Sequence, residues 1–379
     1  MQQTDNHYDL IIVGGGPAGA TLAWGLRNSG KRILIIDKAR FPRDKTCAGW
    51  VTPAVIESLG LDIEDYRKER ILQPITGFRI GMMGQPAVDN NHGTAPVSYG
   101  IRRCEFDDYL LSRVDVDKVL DTPVKTITRD GDNWTINGQW QAPLLVGAGG
   151  HFCPVARELG EGPGSHETAV TAKEIEFEMT DAQASLCRAQ GEQPELWFCR
   201  DLKGYAWVFR KGNFLNIGLG REDNHKLSDH LNAFVDDMKQ QGRIPDDLPG
   251  RFKGHAYLLY AHADRQLVDD GIMLIGDAAG LAYTQSGEGI RPAIESALLA
   301  AGTIRRAPDF SAQNLQRYGE AIADRFGRRA LDHGNSWQLP DWVKSSVASG
   351  LMRSHWFTRK VVTEKWFLHT DVPALKAAV

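Results

Sequence analysis

Two short apolar runs near the N-terminus flank a glycine-rich turn and a helix-like pattern. Residues 8–13 (YDLIIV) and 32–36 (RILII) are rich in β-branched side chains, as buried parallel strands are. Between them, the turn GGGPAGA is followed by apolar residues at helical spacing, and this pattern ends at Ser29 and Gly30. The first forty residues therefore predict a strand, a helix and a second strand, in that order.

Similar strands recur far along the chain, and a different pattern lies between them. Residues 144–147 (LLVG) and 271–275 (GIMLI) each precede a glycine-containing turn, and a helix is expected from about residue 292 to 301. Between residues 166 and 265, Ile175, Phe177 and Met179 alternate with glutamates, as in an antiparallel strand with one face in water. Further strands at 195–199, 205–209 and 214–219 precede a helix at 228–241. We predict an α/β protein with an interleaved antiparallel sheet.

Composition and charge narrow the class of protein. The 379 residues are 42% hydrophobic and 24% charged, which is enough apolar material for large cores. The formal net charge is −4, so no basic field attracts nucleic acid. The cysteines are scattered without a C-x-x-C pair and the histidines form no H-x-x-x-H motif, so neither disulfides nor a metal site is expected. Because the N-terminus lacks a secretory pattern, we expect a cytoplasmic protein.

The first glycine turn has the chemistry of a dinucleotide site. Gly14, Gly16 and Gly19 form G-x-G-x-x-G between a strand and a helix, and Asp37 ends the second strand. The glycines let the backbone approach a pyrophosphate, the helix N-terminus offers free N–H groups, and the carboxylate can accept hydrogen bonds from a ribose. Aspartate at this place favours FAD or NAD over NADP, and the motif leaves the first two open.

Further motifs occur in an order that is typical of one flavoprotein class. Residues 103–107 read R-C-E-F-D, residues 205–209 read Y-A-W-V-F, and G-D-A-A-G at 276–280 precedes G-E-G-I at 287–290. With these motifs the chain resembles the two-dinucleotide-binding-domain flavoproteins, the class of p-hydroxybenzoate hydroxylase, and most closely their geranylgeranyl reductase-like branch. The resemblance spans about residues 8–305. It departs from the family at Arg210 and Thr284, where proline is usual.

The resemblance implies which residues hold FAD. The first glycine turn would bind the pyrophosphate, Asp37 the adenosine ribose, and Asp277 the ribityl or pyrophosphate region, although Asp277 is also a plausible helix cap. Gly289 and Ile290 would direct N–H groups at the flavin N1 and C2 carbonyl, where reduced flavin carries negative charge. The full set of expected cofactor residues is Gly14, Gly16, Pro17, Ala18, Gly19, Asp37, Lys38, Cys47, Ala48, Gly49, Arg103, Val124, Gly149, Gly276, Asp277, Gly287, Gly289 and Ile290.

Cys47, Tyr205 and Trp207 are the expected catalytic or pocket residues. Tyr205 and Trp207 lie two residues apart on one face of a strand, where they form an aromatic wall or a simple core. Cys47 lies in a loop that resembles the reductase Cys-Gly/Ala loop, where it would relay a proton or shape the pocket. Its alternative is a small buried apolar residue.

The resemblance also implies a domain plan. Residues 1–75, 100–165 and 266–305 would form the FAD-binding domain, and 76–99 and 166–265 the substrate domain. Residues 306–379 would form a helical C-terminal region. From residue 341 this region contains six Lys/Arg against three Asp/Glu, with several tryptophans including Trp337 just before it. It would cap the substrate pocket, or else lie on a membrane surface.

The expected activity is FAD-dependent reduction of carbon–carbon double bonds in a hydrophobic, isoprenoid-like substrate. NAD(P)H or another donor, such as an external electron carrier, would bind transiently, because the chain has no second strand-linked G-x-G-x-x-G. The alternatives are a monooxygenase or halogenase of the same fold, and a non-catalytic redox flavoprotein.

Overall fold

The computed structural model describes residues 6–161, 169–223, 226–329 and 341–376. Trp337 lies outside these ranges. In chain order the strands are β1 (Leu10–Val13), β2 (Ile33–Ile36), β3 (Trp50–Val51), β4 (Leu72–Ile75), β5 (Gly77–Met82), β6 (Val88–Asn91), β7 (Ser98–Ile101), β8 (Asp117–Val119), β9 (Ile127–Asp130), β10 (Asn133–Ile136), β11 (Trp140–Ala142), β12 (Leu144–Gly147), β13 (Val170–Glu178), β14 (Glu195–Phe198), β15 (Gly204–Lys211), β16 (Phe214–Arg221), β17 (Lys253–Tyr257), β18 (Val268–Asp269) and β19 (Ile272–Leu274).

The helices are α1 (Pro17–Gly25), α2 (Pro53–Leu59), α3 (Ile63–Arg67), α4 (Arg103–Ser112), α5 (Pro154–Glu158), α6 (Asp181–Leu186), α7 (Leu227–Gln240), α8 (Ile290–Arg306), α9 (Ala312–Phe326), α10 (Asp341–Met352) and α11 (His355–Phe357). A wide π-type helical segment, Thr358–Phe367, continues from α11. Across the described ranges, no helix combines the length and the apolar character that crossing a bilayer requires.

A mostly parallel sheet carries the glycine turns. Its strand order is β18-β19-β12-β1-β2-β8, with β1 paired in parallel to both β2 and β12. Every residue of these three strands is buried, which explains their continuous apolar runs. Helix α1 packs against α8, so the first helix and the second cofactor helix lie side by side. The carboxyl ends of β1 and β12 therefore bring their glycine turns together.

The second large sheet has the order β17-β13-β16-β15-β14-β5-β6 and is mainly antiparallel. The alternation in β13 reflects its pairing with β16 and β17, with Phe177 and Ile175 buried against α7. Strands β5 and β6, from residues 77–91, join the far edge of this sheet, where β5 runs parallel to β14. These observations confirm the predicted fold class. The exact domain boundaries stay a prediction.

One part of the C-terminal region packs against the parallel sheet and another part packs against the second sheet. Helix α9 buries Leu315, Tyr318 and Ile322 in the core of the parallel sheet. Farther on, Met352 and Phe367 pack into the aromatic face of the second sheet with Trp207 and Phe209. The segment after residue 341 thus covers that face of the sheet.

Candidate functional site

The first glycine turn is built for close approach of backbone atoms. Gly14 has a φ of +115°, and a Cβ there would lie 2.4 Å from the Ala148 carbonyl oxygen. A Cβ at Gly19 would lie 1.9 Å from the Gly14 oxygen, so Gly19 lets α1 pack onto the turn. No side chain caps the N-terminus of α1, where Pro17 is the first residue. The free N–H groups of the helix are therefore available to an anion.

Asp37 is held in place at the end of β2. Its two carboxylate oxygens accept hydrogen bonds from the Gly15 N–H at 2.7 Å and the Ala39 N–H at 2.8 Å. Each oxygen keeps a further lone pair. The carboxylate can therefore bind ribose hydroxyls without giving up its own support.

Two arginines meet one buried carboxylate beside this turn. Arg103, the first residue of α4, donates two hydrogen bonds of 2.9 Å to Asp107, which is completely buried. Arg43 lies 3.1 Å from the same carboxylate, and its guanidinium also borders Gly16. The R-x-x-F-D motif thus holds two cations near the expected pyrophosphate position.

Asp277 belongs to a charged cluster. It lies in a short 3₁₀ turn, Gly276–Ala279, and its carboxylate is close to Gly289 at the start of α8. His255 Nε2 lies 2.6 Å from Lys45 Nζ and 3.9 Å from Asp277 Oδ2. Although burial raises it, the pKa of Asp277 is lowered to about 2 by His255 and Lys45, while burial lowers the pKa of Lys45 to about 8. Asp277 is therefore an anion at neutral pH.

One cavity of about 470 Å³ connects these features to the second sheet. It begins at the glycine turn after β1 and reaches the loop before α8, beside strands β15 and β17. Of the expected site residues, those that line it are Gly14, Gly16, Pro17, Ala18, Asp37, Lys38, Cys47, Ala48, Arg103, Gly149, Tyr205, Trp207, Asp277, Gly287, Gly289 and Ile290. The structure thus brings most of the set together.

Four expected cofactor residues do not line the cavity. Gly19 packs against the first turn, and Gly276 packs against Ala18. A Cβ at Gly49 would lie 2.3 Å from the Ile101 carbonyl oxygen, so Gly49 allows a strand contact. Val124 is half-buried against the core of the parallel sheet. Contact of these four with the cofactor stays a prediction.

Tyr205 and Trp207 form one wall of the cavity at the second sheet. The Tyr205 hydroxyl donates to the Ser286 carbonyl, and its ring centroid lies 5.3 Å from that of Phe367. Trp207 Nε1 donates to Asn216 Oδ1 at 2.7 Å. A Cβ at Gly218 would lie 2.2 Å from the Trp207 ring, so this glycine on β16 makes room for the indole. The C-terminal segment closes this wall through Phe367.

Cys47 is clamped to the same wall. Asn216 Nδ2 donates to the Cys47 carbonyl oxygen at 3.1 Å and to Glu174 at 2.8 Å. The Arg103 guanidinium is near enough to the Cys47 thiol to interact with it electrostatically. The half-buried thiol therefore faces a cation and borders the cavity. Its catalytic role stays a prediction.

The chain is similar to several known proteins. Residues 12–44 match a family model described as an NAD(P)-binding Rossmann-like domain. The digeranylgeranylglycerophospholipid reductase of Methanocaldococcus jannaschii is 25% identical over 88% of this chain and 86% of its own length. The menaquinone reductase of Mycolicibacterium smegmatis is 30% identical over 77% of this chain and 75% of its own length.

The chain belongs to the geranylgeranyl reductase family of FAD-dependent oxidoreductases. A solved structure from Thermoplasma acidophilum, described as geranylgeranyl bacteriochlorophyll reductase-like, has the same fold. Its TM-score is 0.73, with 20% identity and coverage of 97% of this chain and 98% of that one. The sequence relatives of this family member include reductases. They favour the prediction that the protein is a reductase over a monooxygenase or halogenase.

The cavity of this family member fits FAD. The first glycine turn has no room for a Cβ, and the N-terminus of α1 has no side-chain cap, so both can accept a pyrophosphate. The Asp37 carboxylate can accept hydrogen bonds from a ribose. The cavity then continues to Gly289 and Ile290, at the N-terminus of α8. A site for NAD alone would not need that second helix end. We therefore assign the stretch at residues 12–44 to the FAD of the family.

Several cavity residues escaped the sequence analysis. His255 and Tyr257 lie on β17, a five-residue strand with no motif. Glu288 lies inside the G-E-G-I segment, whose glycines carry the family resemblance. Asn216 supports Cys47 and Trp207 from β16. For Glu288, the signal available was an acidic side chain in an otherwise apolar and glycine-rich segment.

Proposed function

We propose that the protein reduces carbon–carbon double bonds of a hydrophobic, isoprenoid-like substrate, using electrons from reduced FAD. The observation that carries this proposal is the single cavity that joins the glycine turn and the α8 N-terminus to the wall of Tyr205 and Trp207. The names of the relatives from Methanocaldococcus jannaschii and Mycolicibacterium smegmatis support a lipid or quinone with an isoprenoid chain.

FAD, when bound, supplies the hydride. The residues of the chain would bind and orient the FAD. The N–H groups at the start of α1 and the Arg103 and Arg43 guanidinium groups would neutralise the pyrophosphate, and Asp37 would hold the ribose. The N–H groups of Gly289 and Ile290 would favour negative charge on the ring end of the cofactor.

The second sheet excludes water from the reacting end of the cavity. Trp207 and Phe367 are buried, and Trp50 contacts Phe367 with a centroid separation of 5.8 Å. An apolar chain gains free energy on leaving water for such a wall, at about 25 cal/mol for each Å² buried. The pocket therefore suits an alkene better than a charged substrate.

The product of anaerobic turnover tests this function. Purified holoprotein is reduced with dithionite and mixed with menaquinone or with a geranylgeranylated glycerophospholipid, and the lipid is analysed by mass spectrometry. We expect a gain of two hydrogen atoms for each double bond reduced, with stoichiometric loss of reduced flavin. Unchanged lipid with both substrates would contradict the proposal.

We also propose that NAD(P)H or an external carrier delivers the electrons during a transient encounter. We assign residues 12–44 to FAD, and the sequence has no second strand-linked G-x-G-x-x-G that could hold a pyridine nucleotide. A donor would therefore reduce the flavin from the outside and leave before the substrate reacts.

Peripheral membrane contact through the C-terminal segment is a further part of the proposal. Val347 and Leu351 lie one helical turn apart on α10 and are exposed, and Trp356 is 68% exposed. The exposed basic residues Arg359 and Lys360 follow closely. Apolar side chains flanked by cations suit an anionic lipid surface, where the substrate would reside.

Vesicle binding tests the membrane contact. Replacing Leu351 and Trp356 together with serine should weaken binding to phosphatidylcholine–phosphatidylserine vesicles roughly 100-fold or more, since each buried side chain contributes about 1.5–3 kcal/mol. Leu186→Ser, at another exposed apolar position, is the matched control and should bind as the wild type does. Equal binding of all three proteins would refute a role for this segment.

A further inference from the structure

Glu288 occupies a distinctive place in the cavity. It lies between Gly287, which has a φ of +67°, and Gly289. Gly289 is the N-cap residue of α8, which begins at Ile290. Only 6% of its surface is exposed, and it lines the same cavity as Tyr205. It therefore stands where the N-terminus of the cofactor helix meets the aromatic wall.

The loop that carries Glu288 is fixed by contacts with that wall. The Tyr205 hydroxyl donates to the carbonyl of Ser286, and the Ser286 hydroxyl accepts from the Glu288 N–H at 3.3 Å. A Cβ at Gly287 would lie 2.4 Å from the Tyr257 hydroxyl, so this tyrosine packs directly on the loop. The position of the Glu288 backbone is thus set by both β15 and β17.

The Glu288 side chain lacks the partners that buried carboxylates normally have. Neither oxygen makes a full hydrogen bond within the described part of the chain, although the Arg291 N–H lies close enough to favour the charged form somewhat. Arg291 itself is bound by Glu295 at 2.8 Å and by the Val372 carbonyl at 2.7 Å. The cation nearest in sequence is therefore already engaged.

The protonation of Glu288 follows from this environment. Burial raises its pKa to about 8, with Glu295 adding to the rise and Arg291 opposing it. The other titratable groups that face it are the phenols of Tyr205 on β15 and Tyr283 in the preceding loop. Because the pKa is raised, the carboxyl keeps its proton at neutral pH and loses it as the pH rises through about 8.

The other acids of the cavity are less suited to donate a proton. Burial raises the pKa of both Tyr205 and Tyr257, so these phenols hold their protons tightly. Asp277 is ionised, and burial lowers the pKa of His255, which leaves it neutral. Lys45 is bound to His255 at the charged cluster. Glu288 and the Cys47 thiol therefore remain as candidate proton donors in the cavity.

We propose that Glu288 is the catalytic acid that supplies the proton during alkene reduction, a role that rests on the proposed function. The hydride from reduced FAD forms a C–H bond at one alkene carbon. The electron pair of the π bond takes the Glu288 proton and forms the second C–H bond. The alkene is reduced, the flavin is oxidised, and the carboxylate regains a proton from water.

Single turnover of the reduced holoenzyme tests the assignment. With menaquinone or the geranylgeranylated glycerophospholipid under anaerobic conditions, Glu288→Gln should slow flavin reoxidation by roughly 100-fold or more, as removal of a general acid does. The wild-type rate should fall above about pH 8, where the carboxyl ionises, and this dependence should vanish in the variant. Glu158→Gln, at an exposed position on α5, is the control and should match the wild type.

A second measurement does not depend on turnover. The protein is labelled with ¹³C at the side-chain carboxyl of its glutamates, and the Glu288 resonance is identified by its absence from the spectrum of Glu288→Gln. In the apoprotein this resonance should titrate near pH 8. Ionisation already complete at pH 6 would overturn the assignment whatever the substrate is.

The outcomes separate the two proposals. Wild-type protein that reduces neither lipid overturns the proposed function and the acid role with it. Normal wild-type turnover with an unaffected Glu288→Gln overturns only the acid role. Loss of turnover in Cys47→Ala but not in Glu288→Gln would likewise overturn it and give the proton to the thiol.

Discussion

Replacing Gly14 with alanine is expected to weaken FAD binding by roughly 100-fold or more. The backbone φ of +115° strains any residue with a Cβ, at about 1–3 kcal/mol. The new Cβ would also lie 2.4 Å from the Ala148 carbonyl oxygen, so the β1 and β12 turns would have to separate. The proposed pyrophosphate site lies at this junction. Fluorescence titration of the apoprotein with FAD measures the effect.

Gly30→Ala is the matched control for Gly14→Ala. Gly30 also has a positive φ, +70°, but no atom lies within 4 Å of its Cβ position. Gly30→Ala therefore introduces backbone strain but no steric clash. Gly30 lies away from the cavity, after the first helix. It should keep the wild-type FAD affinity. Gly14→Ala with wild-type affinity would contradict the assignment of this turn to the cofactor.

Replacing Asp107 with alanine is expected to lower the free energy of unfolding by about 3–5 kcal/mol, the usual cost of leaving a buried charge unpaired. Asp107 is completely buried and accepts two hydrogen bonds from Arg103, which is itself buried. Without the carboxylate, Arg103 and Arg43 would repel each other in a poorly solvated place. Urea denaturation of the apoprotein provides the measurement.

Arg43→Met supplies the comparison for Asp107→Ala. It removes one cation but leaves both hydrogen bonds between Arg103 and Asp107, so its cost should be well below that of Asp107→Ala. FAD should still bind Arg43→Met, though more weakly, because one charge near the pyrophosphate is lost. An Asp107→Ala protein as stable as Arg43→Met would show that this ion pair contributes little.

The parallel sheet and its turns were predictable because their physics is local. A strand buried on both faces must be apolar throughout, as at Leu10–Val13. Gly19 is required by the Gly14 carbonyl oxygen five residues earlier, whereas the clash that requires Gly14 comes from Ala148 on the distant β12 turn. In the second sheet, β13 to β16 were predictable from alternation and hairpin turns, whereas β5, β6 and β17 were not predicted. The family motifs then indicated which turns share one cofactor.

The charged and acidic parts of the site were not predictable in this way. Lys45 and His255 are 210 residues apart and meet only because β17 lies beside the Cys47 loop. The sequence showed Glu288 but not its burial or its lack of partners, which depend on β15 and β17 packing on its loop. Such properties arise from tertiary contacts between segments that carry no shared pattern.

The most direct test of the reductase account is anaerobic stopped-flow reoxidation of the reduced holoprotein by an isoprenoid alkene, compared with reoxidation by oxygen. A reductase should be reoxidised rapidly by the alkene and slowly by oxygen, without a transient oxygen adduct of the flavin in the absorbance record. Fast reaction with oxygen through such an adduct, and none with the alkene, would contradict it and indicate a monooxygenase.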